Sequence, residues 1–348
     1  MRCSTMDSLM EKLSNAFGPT GFEGDVSKLM ESELKKSCSK VAIDRMGDVI
    51  GTMGKAGRPD VMLGAHMDEV GLMVKTITEK GFLRFIKVGG IDDRTLPNQR
   101  VFVRTESGKM IPGVIGSKPP HMLKDEDMKK PIEYRQMFID IGAKDKKDAL
   151  SMGVQIGSPV GFNVSFTKLG NGLFTGKALD NRIGCYVMLE VAKKVKGEFA
   201  FAGTVQEEVS TFGKGAMVSA FTYYPKHFIA VDTAVAADHP ECTEDEALIR
   251  LGDGPCISIV EAAGRGNFSD KKMIDWLVKT VKKEHIPYQL EVVEGGSTDA
   301  ARVFNVREGI PSIAVCVPTR YIHSGVGVAS ERDVEGAIKL LAAALKSM

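Results

Sequence analysis

Residues 61–68 read VMLGAHMD. Five apolar or small residues stand in unbroken order, and a continuous run of that length predicts a β-strand buried on both faces. His66 follows at the strand's exit, and Asp68 stands two residues on. Open α/β sheets bind ligands off the carboxyl ends of their strands, so the position of these side chains is as informative as their chemistry.

The pattern repeats. FAFAGTV (199–205) leads to Gln206-Glu207-Glu208, FIAV (228–231) leads to Asp232, and SIAVCV (312–317) leads on to Arg320, Tyr321 and His323. FTGKAL (174–179) leads to Asp180, just ahead of a helical segment. If these strands share one sheet, His66, Asp180, Glu208, Asp232 and His323 meet on one rim.

Outward from this frame, apolar periodicity predicts helices over 6–16 and 25–36, separated by the breaker Gly18-Pro19-Thr20-Gly21. Short strands are expected at 41–43 and 49–52. After residue 70 the texture becomes β-like, at 71–78, 82–88, 100–105, 110–116 and 138–142, with one short helix at 145–151 and strand-like SPVGFNVSF from 158. Lys118 to Arg135 is polar and proline-bearing, a predicted mobile loop. Strands and helices alternate again from 176, with helices at 181–194, 214–221, 270–284 and from 331. Ser330 and Asp333 form an S-x-x-D capping signal for the last helix. This order predicts an α/β fold, a mixed sheet sandwiched by helices. Residues 1–69 and 163–348 are expected to form one catalytic α/β domain, interrupted by a β-rich insert at 70–162.

Composition narrows the function. The chain has 348 residues, 43% hydrophobic and 26% charged, which excludes a disordered, fibrous or coiled-coil protein. Forty-six basic against 45 acidic residues leave a net charge of +1, with no basic field for nucleic acid. No run of 18 apolar residues spans a membrane. The N-terminal MRCSTMDSLMEKLSNAF carries acids and no long apolar run, unlike a secretory signal. Cys3, Cys38, Cys185, Cys242, Cys256 and Cys316 form no C-x-x-C pair and read as free thiols of a cytoplasmic protein, with a thiol nucleophile a minor alternative. Glycine, at 37 residues, is in excess and points to tight turns or a crowded site.

Two imidazoles and three carboxylates suit a pair of zinc-like ions, one carboxylate bridging, with a water activated between them. Glu207, beside Glu208, is placed to act as the general base for that water. Asp68, at H-x-D spacing, is placed to receive the free ring N–H of His66. His121, His227, His239 and His285 read as structural.

At these residues the sequence resembles the cytosolic dinuclear metallo-aminopeptidases that include the tetrahedral aminopeptidases, the glutamyl aminopeptidases and proteins labelled endoglucanase M. The resemblance is carried by GAHMDEVGLMV (64–74), GGIDDRTLPNQRV (89–101), GKALDNRIG (176–184), TVQEEV (204–209), DTAVAADHP (232–240), GGSTDAA (295–301) and PTRYIHS (318–324), among other segments. It implies a zinc-exopeptidase-like fold with an inserted small β-barrel or PDZ-like dimerisation domain. It implies His66, Asp180 and Asp232 on one metal, Asp180, Glu208 and His323 on the other, and Glu207 as general base. Two divalent ions per subunit are expected, zinc first, with cobalt or manganese as alternatives. The expected substrates are short peptides, and no separate organic cofactor is implied. The expected assembly is a homo-oligomer of dimers, a tetrahedral dodecamer. Two departures stand out: Asn181 follows Asp180 where many members have a second Asp, and VSTFGKGA (209–216) replaces a shorter turn. Arg320, Thr298 and the 209–216 loop are candidate pocket elements. Two other readings compete: an endoglucanase-type glycoside hydrolase using Glu207 and Glu208, and a non-catalytic assembly protein of the same fold.

Overall fold

A computed structural model describes the chain apart from residues 1–4, 56, 123, 125, 127, 128, 210–213, 244 and 247. The opening stretch forms β3 (Val61–His66), buried along its whole length. Successive side chains of a strand point to opposite faces, so Val61, Leu63 and Ala65 enter one core and Met62 enters the other. Gly64 lacks a side chain where the ring of Phe228 crosses; a Cβ there would stand 2.6 Å from that ring.

Around β3 lie β1 (Lys40–Ile43), β2 (Val49–Thr52), β12 (Phe199–Thr204), β13 (His227–Val235), β14 (Cys256–Val260), β15 (Gln289–Val292), β16 (Ser312–Arg320) and β17 (Gly327–Ser330). The short β10 (Thr167–Lys168) and β11 (Leu173–Gly176) complete one edge. Among the described residues these make an 11-stranded mixed sheet in the order β1-β2-β12-β3-β13-β16-β17-β11-β10, with β14 on β16 and β15 on β14. The centre is parallel: β12, β3, β13 and β16 run the same way. Their carboxyl ends therefore open on one rim.

Helices cover both faces. On one side lie α1 (Thr5–Asn15), α2 (Gly24–Leu34), α4 (Leu179–Ala192), α6 (Lys271–Lys283) and α8 (Glu331–Lys346), which share a core with Leu63, Phe201 and Val315. On the other, Ala216 and Ala220 of α5 (Gly215–Tyr223) and Ala300 and Val303 of α7 (Ala300–Val303) pack on Met62 and Phe228. Each fully buried Val, Leu or Phe contributes about 1.5–3 kcal/mol relative to exposure, so the two-sided burial fixes the sheet in the middle layer.

Between β3 and β10 the chain builds a closed antiparallel barrel. Its strands are β4 (Gly71–Ile77), β5 (Leu83–Val88), β6 (Arg100–Arg104), β7 (Met110–Gly116), β8 (Phe138–Asp140) and β9 (Pro159–Phe162), closing in the order β4-β5-β8-β7-β6-β9. The helix α3 (Lys146–Ser151) lies between β8 and β9. The barrel has its own core, with Leu72, Leu83, Val103, Ile115 and Ile139 inside. The expected α/β architecture with an inserted β-barrel is thus the observed one.

Some local expectations change. Strand β13 runs through Asp232 to Val235, because its ladder with β16 continues to Val235 and Thr319. The strand read from FTGKAL is β11, which stops at Gly176, whereas β10 and β17 were not anticipated; all three are short and exist by pairing with one another or with β16. Ser330 caps α8 by accepting the Arg332 N–H, but Asp333 does not complete a capping box. Its buried carboxylate instead accepts the N–H groups of Gly252 and Gly254. Within 118–135, the described residues carry 3-10 turns at Pro120–Met122 and Tyr134–Gln136. Among the described residues no helix is long and apolar enough to cross a membrane.

Candidate metal centre and active site

Each predicted side chain reaches the rim from a different element. His66 is the last residue of β3, and Asp180 stands in the first turn of α4. Glu207 and Glu208 lie on the 3-10 turn that follows β12. Asp232 points from within β13, and His323 follows β16. All six line one cavity of about 390 Å³. A strand would have sent the two adjacent glutamates to opposite faces; the turn sends both to this cavity.

Nε2 of His66 lies 3.2 Å from Asp180 Oδ1, 3.7 Å from Asp232 Oδ1 and 4.0 Å from Glu207 Oε2. Nε2 of His323 lies 3.4 Å from Asp180 Oδ2 and 3.2 Å from Glu208 Oε2. Asp180 thus stands between the two imidazoles. One ligand atom each from His66, Asp180 and Glu208 falls within 4.8 Å of the others.

The opposite ring nitrogens are held from behind. Nδ1 of His66 faces Asp68, 3.3 Å from Oδ1 and 3.2 Å from the backbone carbonyl. Nδ1 of His323 donates to the Gly90 carbonyl at 2.8 Å. In both rings this leaves Nε2 toward the cavity, the arrangement in which a histidine serves as a metal ligand. Asp68 does more than orient His66. It also accepts the backbone N–H groups of Glu207 and Glu208 and the hydroxyl of Thr20.

The electrostatics favour a cation. Burial pushes the carboxyls of Glu207, Glu208 and Asp232 above their usual range, and neighbouring carboxylates reinforce the shift. Burial works against a charged His66, but Asp180, Asp68 and Asp232 outweigh it and hold the imidazole well above its ordinary value. Contacts with Asp180 and Glu208 lift His323 to about 11. Glu208 Oε1 is buried with no hydrogen-bond partner among the described residues. An orphaned carboxylate oxygen beside two aimed imidazoles and further acids fits a divalent cation.

Beyond Asp68, the supporting residues were not legible beforehand. Thr20 belongs to a segment read only as a breaker. Gly90 comes from the barrel; a Cβ there would stand 3.1 Å from His323 Nδ1, so its absence lets the barrel loop touch the site. Gln206 and His323 hold left-handed backbone, with φ of 62° and 57°. Such conformations in residues other than glycine cluster at functional sites.

Asn181 has a structural role. Its Nδ2 donates to the Val231 carbonyl, next to Asp232, and its Oδ1 accepts the Gly184 N–H. Thr298 lines the cavity. Arg320 does not; its guanidinium is bound by the Asp238 carboxylate at 2.7 Å. Of the 209–216 loop, residues 210–213 lie outside the described residues, and Val209 lines the cavity. Cys3 also lies outside them, while the other five cysteines are free. Cys316 lines the cavity and Cys185 lies against the His66 carbonyl; burial pushes both thiols up, Cys185 to about 12, which suits no nucleophile.

The sequence pattern of the M42 glutamyl aminopeptidase family matches residues 47–340. The chain belongs to this family. It is 35% identical to the putative aminopeptidase FrvX of Escherichia coli over 336 residues, 96% of this chain and 93% of the relative. The solved aminopeptidase APDkam598 of Desulfurococcus kamchatkensis shares the fold at a TM-score of 0.94 and 38% identity, across 99% of this chain and 95% of that one. The TET1 peptidase of Pyrococcus horikoshii, which can assemble into a tetrahedron or a large octahedral shell, matches at a TM-score of 0.86 and 32% identity, across 97% and 98%. The chain is therefore a metallo-aminopeptidase, and His66, Asp180 and Glu208 form a group that could hold a metal ion. The glycoside-hydrolase and non-catalytic readings are set aside.

Proposed function

We propose that this site removes the N-terminal residue of short peptides with two divalent cations bound. His66, Asp180 and Asp232 would hold one cation, and Asp180, Glu208 and His323 the other. The observation that carries this reading is the set of facing donors: two Nε2 atoms on either side of Asp180, with the orphaned Glu208 Oε1 beside them. When bound, the cations supply a water acidic enough to attack near neutral pH and polarise the scissile carbonyl. The mixed imidazole and carboxylate set suits zinc first, with cobalt or manganese as alternatives.

Glu207 is the proton carrier in this reading. It takes a proton from the attacking water as the oxygen bonds to the carbonyl carbon. It returns that proton to the departing amine as the C–N bond breaks. Asp68 fixes Glu207 through the backbone and His66 through the ring. We assign 1–69 and 163–348 to the catalytic domain and 70–162 to an assembly domain of a cytoplasmic homo-oligomer, a tetrahedral dodecamer of dimers, in line with the TET1 relative.

The test is a panel of aminoacyl 4-nitroanilides, with chelation and metal re-addition. Hydrolysis that chelation stops and zinc, cobalt or manganese restores is the expected result. Cleavage of an N-acetylated peptide at the same rate as a free one would refute exopeptidase action. Light scattering of the native protein tests the dodecamer; a stable monomer would refute it.

A further inference from the structure

The cavity extends beyond the His66, Asp180 and Glu208 group, and its far wall is acidic. Glu261 follows β14, and Glu291 lies in the neighbouring parallel strand β15, opposite Ser258 in the register. Both glutamates line the same cavity as His66 and Glu207. Glu261 is 2% exposed and held in place by Thr298, whose N–H and hydroxyl donate to its two oxygens at 3.1 and 2.8 Å.

Glu291 is different. It is 7% exposed and makes no ion pair among the described residues. Ser258, opposite it in the register, is the one group among the described residues that favours its charge. Burial and the neighbouring Glu261 push its carboxyl up to about 7. Arg302 shares the cavity, but its charge acts on Glu261 and Asp299. A buried acid facing a cavity beside a second acid is stabilised by an incoming cation. Val235 and Val293 add apolar wall to the same cavity, which suits the methylenes of a long side chain.

We propose that this acidic wall receives the side chain of the substrate's first residue and selects lysine or arginine. The proposal rests on the aminopeptidase reading of the neighbouring cluster. It places the ammonium or guanidinium group against Glu291 and Glu261 while the scissile carbonyl lies at the metal cluster.

The first experiment compares kcat/KM of the metal-loaded protein on Lys-, Arg-, Leu- and Glu-4-nitroanilide. Lysine and arginine should exceed leucine by at least about tenfold, the scale expected when a buried charge finds its partner. Equal rates for lysine and leucine, or a preference for glutamate, would overturn the proposal. Glu291→Gln should lower the lysine-to-leucine ratio at least about fivefold; an unmoved ratio counts against it. A second measurement needs neither turnover nor the Glu291 variant: calorimetric binding of L-lysinamide and L-norleucinamide, which differ at the end of the side chain, to the Glu207→Gln protein, in which hydrolysis of the amides is suppressed. Lysinamide should bind about tenfold more tightly. Equal affinities would overturn the acidic slot even in an active enzyme. Lysinamide selectivity without hydrolysis of any anilide would retain the slot and refute the aminopeptidase reading.

Discussion

Asp68 accepts the backbone N–H of Glu207 at 3.0 Å while its other interactions hold Nδ1 of His66. One buried carboxylate thus ties the end of β3 to the turn after β12. Those segments carry a candidate metal ligand and the candidate base. Their own approach is the 4.0 Å between His66 Nε2 and Glu207 Oε2, so Asp68, in shorter contact with both, is the closer tie between them.

Asp68→Asn keeps the size of this group and removes its charge. An amide offers one accepting oxygen where the carboxylate offers two, and Asp68 has partners on both. The variant should lose about 10–100-fold in metal affinity or activity, the usual cost of removing the group behind a metal-bound histidine. Metal titration followed by activity checks this; wild-type affinity and rate together would remove Asp68 from the assigned role.

Glu207→Gln and Glu208→Ala should separate two functions that neighbour each other in sequence. The first should retain metal and lose about 10²–10⁴-fold in kcat, as expected for a missing general base. The second should lose bound metal, measured by elemental analysis of the dialysed protein. Near-normal turnover in the first, or full metal content in the second, contradicts the assignments.

Asp48 provides a pH test away from the cluster. Its buried carboxyl accepts the Val205 N–H and the Ser219 hydroxyl. Burial raises it to about 8, against an unfolded value of about 3.9. The folded state therefore binds the extra proton between those values, and this group costs stability as pH rises through the window. Asp48→Asn mimics the protonated form. Its melting temperature should match the wild type near pH 4 and exceed it by at least about 2 °C at pH 9. A constant difference across pH would show that Asp48 does not titrate in this way.

Lys177 donates to both oxygens of Glu69 and to the Ala16 carbonyl, and Arg182 adds a 3.3 Å contact to Glu69. All three charged residues are buried. They bind the chain after β3 to the entrance of α4, on either side of the site. Removing one member of a buried ion pair typically costs about 3–5 kcal/mol. Lys177→Met should fall at the lower end, because Arg182 remains opposite Glu69. Urea unfolding gives the value; a loss below about 1 kcal/mol would mean that Glu69 is satisfied without Lys177.

The sequence alone determined the layered fold and the identities of the cluster residues. VMLGA, FAFAG and SIAVC are apolar throughout, so they can be stable only between two covered faces, and each is followed by a polar group on the exit side. That logic is local, and it reaches His66, Asp180, Glu208 and His323. Asp232 was found by the same logic although its strand runs past it, because pairing with β16 extends β13. Apart from Asp68 behind His66, only the tertiary structure decided how these groups are supported and what lies beyond them. Thr20 reaches Asp68 across 48 residues, Gly90 reaches His323 across 233, and Glu261 meets Glu291 through the pairing of two strands. Such contacts depend on how separate segments are brought together, and no local periodicity records them. The meeting of these side chains was therefore readable from residue order, whereas the support behind them and the make-up of their pocket came from packing.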